Sequence, residues 1–465
     1  MHDFLQFVIN LLHRGMALAT FAVALCCVGV AVAYVVFRLV TKGKKRFPWG
    51  KVILSLMLVG YLAVLVYVTL LRYGGGGYSD MNLHLFRAWR EAWNSFSEQN
   101  WLNVLLNVAM FVPLGVILPL LAKWFRKWYC MLAVGFGLSL AIEAVQYATA
   151  RGVLDVDDLF ANTLGAMLGF GITMVCITAR RKREKRAARC LAYAAVPLAF
   201  AVAMAWIFVG YRVQEYGNLP EVPTFTVDTR GVEWKLECEL SPTAQPVPTY
   251  RTEPFTKASC DAFGAAFAEK MGITFKDVYY YDNCTIFANH FTGDFLNVSY
   301  FDRSYSYSVG GVSSGARTQV DEATLREQLA PYDIVIPDTA EFAYEGDGWH
   351  TFTADMQFVE DAVIVGTLRC RCVGGKLEWI ENQLVSCTFY EQVEILSPTA
   401  ACARLCAGKF DRGDAFEYYA PTSVTVKSCT LEYRIDTKGF YQPVYVFAVE
   451  TNGFDIGELV VSAMQ

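Results

Sequence analysis

Charge is scarce in this chain and is missing altogether from long stretches of it. Only 18% of the 465 residues are Asp, Glu, Lys or Arg, and six apolar runs, at about 15–37, 52–71, 101–121, 129–148, 159–178 and 190–209, hold almost none. Roughly 20 apolar residues match the thickness of a bilayer, so runs of this length exclude six soluble core helices and predict six membrane spans. Histidine is also sparse. His290 and His350 are the only two beyond residue 210, and neither has metal-ligand company at motif spacing. No Cys-x-x-Cys pair supplies what histidine lacks, so neither a metal nor a cofactor is expected. A Gly-x-Ser-x-Gly nucleophile elbow is absent too; Ser313 and Ser314 lie in a glycine-rich loop. A cleavable leader is missing as well. The first apolar run is too long for a signal-peptide core and no small-residue cleavage pattern follows it, so it is expected to remain as a span.

What charge there is divides the chain in two. From residue 210 onward there are 19 basic and 36 acidic residues, a net of −17, whereas residues 1–209 carry a net of +12. The pI of 5.7 averages two unlike parts and argues neither for nor against nucleic-acid binding; the partner expected is membrane lipid, not nucleic acid. In the first part the basic residues alternate between loops. Lys42, Lys44, Lys45, Arg46 and Lys51 follow the first span; Lys123, Arg126 and Lys127 follow the third; seven more lie within 180–189. The other loops hold Arg14, Arg72, Arg87, Arg90 and Arg151. The positive-inside rule puts the three basic loops in the cytoplasm, and hence the N-terminus and the region after the sixth span outside. The run at 180–189 could also grip anionic lipid headgroups.

Spans one, two and six read as plain anchors. Spans three to five carry polar residues on single faces: Asn103 and Asn107 at i and i+4, Glu143 and Gln146 at i and i+3, Asp158 and Asn162 at i and i+4, with Arg151, Asp155 and Asp157 in the short loop between spans four and five. At about 1.5 Å of rise per residue, all fall in the outer third of the bilayer. Glu143 lies about five residues inside its span, where an ionisable group is costly unless paired or watered. Asn103 and Gln146 read equally well as interhelical hydrogen-bond partners or as site residues. Gly165 and Gly169 form a small-xxx-small face suited to close helix packing. The expected ligand-binding set is therefore Asn103, Asn107, Glu143, Gln146, Arg151, Asp155, Asp158 and Asn162, with Glu143 and Asp158 as candidate general bases and Glu143 reaching toward Arg151.

Several pieces of this pattern occur together in order: Asn82-Leu83 with Phe86; Asn107 through Phe111, Pro113 and Gly115; Ser139 through Glu143 and Gln146; and Arg151, Asp155, Asp157, Asp158, Asn162, Thr163, Gly165 and Gly169. Over roughly residues 50–180 the chain resembles the VanZ-like membrane protein family. The resemblance implies a polytopic bacterial envelope protein, similar to a factor giving low-level resistance to the glycopeptide teicoplanin. The family domain alone is short; the first span, the sixth span and the C-terminal region are additions to it.

Residues 212–465 alternate helix and strand patterns. Helices are predicted at about 258–271, closed by Gly272, at Val320–Leu329 before Pro331, and from Ser397-Pro398 to before Gly408. Strand alternation is predicted at 277–289, 295–309, 350–359, 362–372, 376–395, 423–434 and 443–450. The pattern near 393–450 resembles the PepSY-like and YycH/YycI-type external modules of Gram-positive regulators. Nine cysteines, at 238, 260, 284, 370, 372, 387, 402, 406 and 429, are an odd number, so at most a partial set of disulfides is expected, or free buried thiols.

The fold class expected is a polytopic α-helical membrane bundle of six spans followed by an extracytoplasmic α+β domain. Its divisions are 1–49 (first span and basic loop), 50–180 (VanZ-like), 181–211 (basic loop and sixth span) and 212–465 (external domain, one module or two repeated ones). Three functions fit: a protein that binds an envelope amphiphile, lipid-linked precursor or glycopeptide and contributes to teicoplanin-type resistance; an enzyme acting on a lipid-linked substrate; or an envelope sensor working through the external domain. Membrane lipid is the common partner in all three.

Overall fold

The computed structural model describes residues 20, 23–42, 47–71, 81–150, 152–180, 185–281, 283–311, 315–359, 362–451 and 454–464. The chain separates into two compact units, Met1–Arg90 with Gln99–Val213, and Glu91–Glu98 with Gln214–Gln465.

Among the described residues the first unit holds six helices long and apolar enough to cross a membrane, so the chain is a multi-pass membrane protein. They are α1 (Val23–Val40), α2 (Trp49–Val66, running on as a π-turn over Tyr67–Leu71), α4 (Glu98–Leu121), α5 (Trp128–Ala148), α6 (Val156–Ala179) and α7 (Arg186–Val213). A short helix, α3 (Arg87–Ser95), precedes α4. Its length and polarity gave no span-like signal in the sequence. Two two-residue strands, β1 (Met81–Asn82) and β2 (Leu154–Asp155), pair in parallel next to the start of α6. The core is formed by α2, α4, α5 and α6 through Leu65, Phe111, Leu114, Met131, Ile142, Ala166 and Phe170. Gly115, Gly165 and Gly169 let α4 and α6 touch backbone to backbone: a Cβ on Gly165 would collide with the Val108 carbonyl oxygen, and one on Gly169 with that of Val112. Without a hydrophobic force between helices in lipid, such close packing is what holds them. The span of α1 buries no residue. Spans two and six, expected as plain anchors, are not: α2 places Leu65 in the core, and α7, though none of its own residues is buried, packs Val196 and Phe200 against Val108, Ala161 and Leu168.

The second unit is α+β. Among the described residues fourteen strands make one hydrogen-bonded sheet, antiparallel except where β3 (Glu233–Leu236) runs parallel to β14 (Ser423–Ile435). It carries two hydrophobic cores. In one, α8 (Lys257–Met271) and α9 (Glu322–Leu329) cover Leu296, Val298, Tyr307, Phe352, Leu368 and Ile380. In the other, α10 (Pro398–Cys406) and α11 (Gly413–Tyr419) lie against Val424, Val426, Phe447, Val449 and Leu459. The helix ends follow the sequence. Thr256 and Ser259 form a capping box at the start of α8, Gly272 closes it with φ 64°, and Ser397 caps α10. The run 376–395 breaks into two strands, Lys376–Asn382 and Val385–Val393, and a last strand, Phe454–Ser462, follows those expected. All fourteen cysteines are free thiols.

Candidate functional site

The polar side chains of the bundle gather where α5 ends and α6 begins, and nearly all of them hold a backbone or amide donor. Asp155 is the hub. Its side chain caps α6 by accepting the Asp157 N–H at 2.7 Å, accepts the Asn82 amide at 3.0 Å, and its own N–H donates to Glu143 Oε2 at 3.0 Å. An acid at a helix N-terminus satisfies free N–H groups and meets the positive end of the helix dipole. Glu143 is only 2% exposed, so its hydrogen bond from Asp155 matters: a carboxylate at that depth must be supplied with donors.

Asp157, equally buried, reaches across to the segment that follows β1. One of its oxygens accepts the Phe86 N–H, the other the Ala88 N–H at 2.7 Å. Asp158 accepts the side-chain amide of Asn107 from α4. The acids thus tie residues 82–88, α4 and α5 to the first turn of α6. One turn further along, Asn162 donates to Ser139 Oγ at 3.0 Å inside the bundle, and its Oδ1 has no partner among the described residues.

The structure therefore brings together Asn107, Glu143, Asp155, Asp158 and Asn162 of the expected set. Two members point elsewhere. Asn103 is exposed and paired with Gln99 at 3.1 Å. Gln146 donates at 2.9 Å to the Thr69 carbonyl in the π-turn of α2, because a π-turn frees a carbonyl from its usual helical bond. Arg151, expected to face Glu143, lies outside the described residues. Sequence reasoning placed Asp157 in the loop and left it out of the site. It is instead, with Glu143, one of the most buried acids of the cluster, and Asn82 and Ser139, buried amide and hydroxyl partners in it, carry only the family resemblance in the sequence.

Beside Asp157 runs an apolar groove of about 600 Å³ between α6 and α7. Phe86, Trp89, Phe160 and Leu164 form one side, and Ala195, Ala199, Phe200, Ala203 and Ile207 of α7 the other. Phe86 and Phe160 meet edge to face at 5.1 Å, and Trp89 approaches Phe160 at 6.3 Å. The residue whose N–H is held by Asp157 is thus also a wall of the groove.

Among solved structures, an uncharacterized protein from Eubacterium rectale ATCC 33656 is similar over 50% of this chain and 88% of its own, with 13% identity and a TM-score of 0.28. No curated protein matches the chain. The family comparison bears on the bundle: residues 58–177 match the VanZ/LLP1 family model, a stretch that contains every side chain of the acidic cluster and leaves α7 outside it.

Proposed function

We propose that the bundle binds an envelope amphiphile, with its polar head at the Asn107–Asp155–Asp158 end and its chain in the groove between α6 and α7. The observation that carries this is the junction of the two: Asp157 holds the backbone at Phe86 and Ala88, and Phe86 and Trp89 wall the groove. A wholly apolar channel beside a concentrated set of carboxylates and amides is matched to a molecule with one wet end and one oily end. The amphiphile is a lipid-linked envelope precursor or a glycopeptide, and its capture contributes to glycopeptide resistance of the teicoplanin type. General-base catalysis has less support, since Glu143 and Asp158 each already accept a hydrogen bond from the protein. In native mass spectrometry of the detergent-purified chain, the wild type should carry a co-purified amphiphile, and Ala199→Trp, which fills the groove, should lose it. Equal occupancy in the two proteins would overturn the reading.

The same reading sets the acidic end and the second unit outside the cell, with the basic loops inside. Single cysteines at 90 and 240 in an otherwise cysteine-free chain should react with an impermeant maleimide on intact cells, and one at 123 should not. Reaction at 123 alone would reverse the orientation.

A further inference from the structure

The end of the bundle remote from the carboxylates holds a second pocket, independent of the groove. It encloses about 100 Å³ where the turn after α4 meets the last turn of α6 and the first two turns of α7. Arg126, Arg186 and Arg189 line it together with the hydroxyl-bearing Thr178 and Tyr193, and its remaining wall is Met174 and Ile177. Three arginines thus line one small space, where like charges repel, and no carboxylate is among the described residues that line it. Arg126 Nε is anchored by the Pro119 carbonyl at 2.9 Å, and Arg186 donates to the Ala179 carbonyl at 3.5 Å. Those bonds anchor the two side chains and, among the described residues, leave most of their five donors each without a protein acceptor. Arg126 is half-buried and Arg186 and Arg189 are exposed, so the pocket is open to the headgroup layer.

We propose that this pocket binds the phosphate of an anionic phospholipid in the leaflet facing the basic loops. Planar guanidiniums match phosphate oxygens in paired hydrogen bonds. Free phosphate would satisfy the arginines equally well, but it would leave Met174 and Ile177 facing water, whereas a phospholipid places its glycerol and first methylenes against them.

The test reconstitutes the full-length protein into nanodiscs of phosphatidylcholine doped with phosphatidylglycerol. The lipid retained after detergent extraction is then counted by native mass spectrometry. Phosphatidylglycerol should be enriched on the wild type. Each of Arg126→Gln and Arg189→Gln should lower the enrichment about fivefold, the difference between a charged and a neutral hydrogen bond to the phosphate. Lys123→Gln, a loss of the same charge outside the pocket, should leave it unchanged. Arg189 is exposed, so its variant tests the site without threatening the fold. Enrichment that survives both arginine variants, or that falls equally in Lys123→Gln, overturns the site. Displacement of the lipid by millimolar inorganic phosphate overturns the assignment to a phospholipid.

Discussion

Replacing Glu143 by glutamine and by leucine separates its charge from its hydrogen bond. Its Oε2 accepts the Asp155 N–H at 3.0 Å from a side chain that is 2% exposed. A hydrogen bond to a charged group contributes about 1.5–3 kcal/mol and a neutral one about 0.5–1.5. Glutamine keeps an oxygen at the same reach, so Glu143→Gln should weaken this contact by about 1 kcal/mol, roughly fivefold in a local opening equilibrium. Leucine removes the acceptor and leaves the Asp155 N–H unsatisfied, which raises the loss to about 3 kcal/mol, on the order of a hundredfold. Asp155 also caps α6 and holds Asn82, so the loosening should spread to residues 81–88. Hydrogen exchange read by mass spectrometry on the full chain in detergent reports both segments. Protection over 152–158 and 81–88 should fall slightly in Glu143→Gln and steeply in Glu143→Leu. If both variants exchange like the wild type, Glu143 is not what holds this end of the bundle together, and the account of the cluster fails.

Gly165→Ala should destabilise the bundle by about 1–3 kcal/mol, because its new methyl must push α4 and α6 apart at the Val108 carbonyl. Gly137→Ala has nothing within 4 Å of its Cβ and should be neutral or better in the same thermal-melting comparison; equal losses in the two would refute the close-approach argument. His350 is fully buried and its Nε2 accepts the Val320 N–H at 2.9 Å, so the ring is neutral. Burial holds its pKa below the ordinary 6.5. As pH falls through 6.5 the unfolded chain takes up the proton first, so stability is full above that pH and declines below it. The urea midpoint for hydrogen exchange across Trp349–Val359 should therefore drop between neutral pH and pH 5, with a smaller drop in His350→Gln. An unchanged pH slope in that variant would acquit His350.

The spans were legible because one physical quantity, apolar length, decides them, and α8, α9 and α10 because their caps are local; α11, which has no side-chain cap, was not. What failed to show in the sequence is what depends on distant partners. Glu143, Asp158 and Asn162 announce themselves as polar groups inside apolar runs. Asp157 does not, because its meaning lies in the Phe86 and Ala88 N–H groups about seventy residues earlier. Gln146 shares a face with Glu143 by spacing, yet it turns to Thr69 because a π-turn in α2 presents a carbonyl there; no periodicity reveals a π-turn. Asn103 and Asn107 sit at i and i+4, but one full turn moves Asn103 toward the exposed end of α4, where Gln99 takes it. The last strand escaped because only two residues separate it in sequence from its partner, Phe440–Thr451.

The placement of the acids bears on how ligand choice is divided within the bundle. A carboxylate in an apolar helix end must be given donors, and here the donors come from residues 82–88 and from α4. Satisfying the acids therefore fixes the chain that carries Phe86 and Trp89, and so fixes one wall of the groove. The opposite wall is α7, whose small residues Ala195, Ala199 and Ala203 set the groove's width, and α7 lies outside the stretch matched by the family model. On the amphiphile reading, the acidic frame is then common ground and the α7 wall is where ligands are told apart. Ala203→Leu should narrow the groove and change which chain lengths co-purify while leaving hydrogen exchange at 152–158 as in the wild type. Glu143→Leu should do the reverse, raising exchange there and lowering occupancy for all chain lengths alike. If the α7 substitution instead abolishes every bound species along with the protection at 152–158, the two walls are a single cooperative element and the division of labour is wrong.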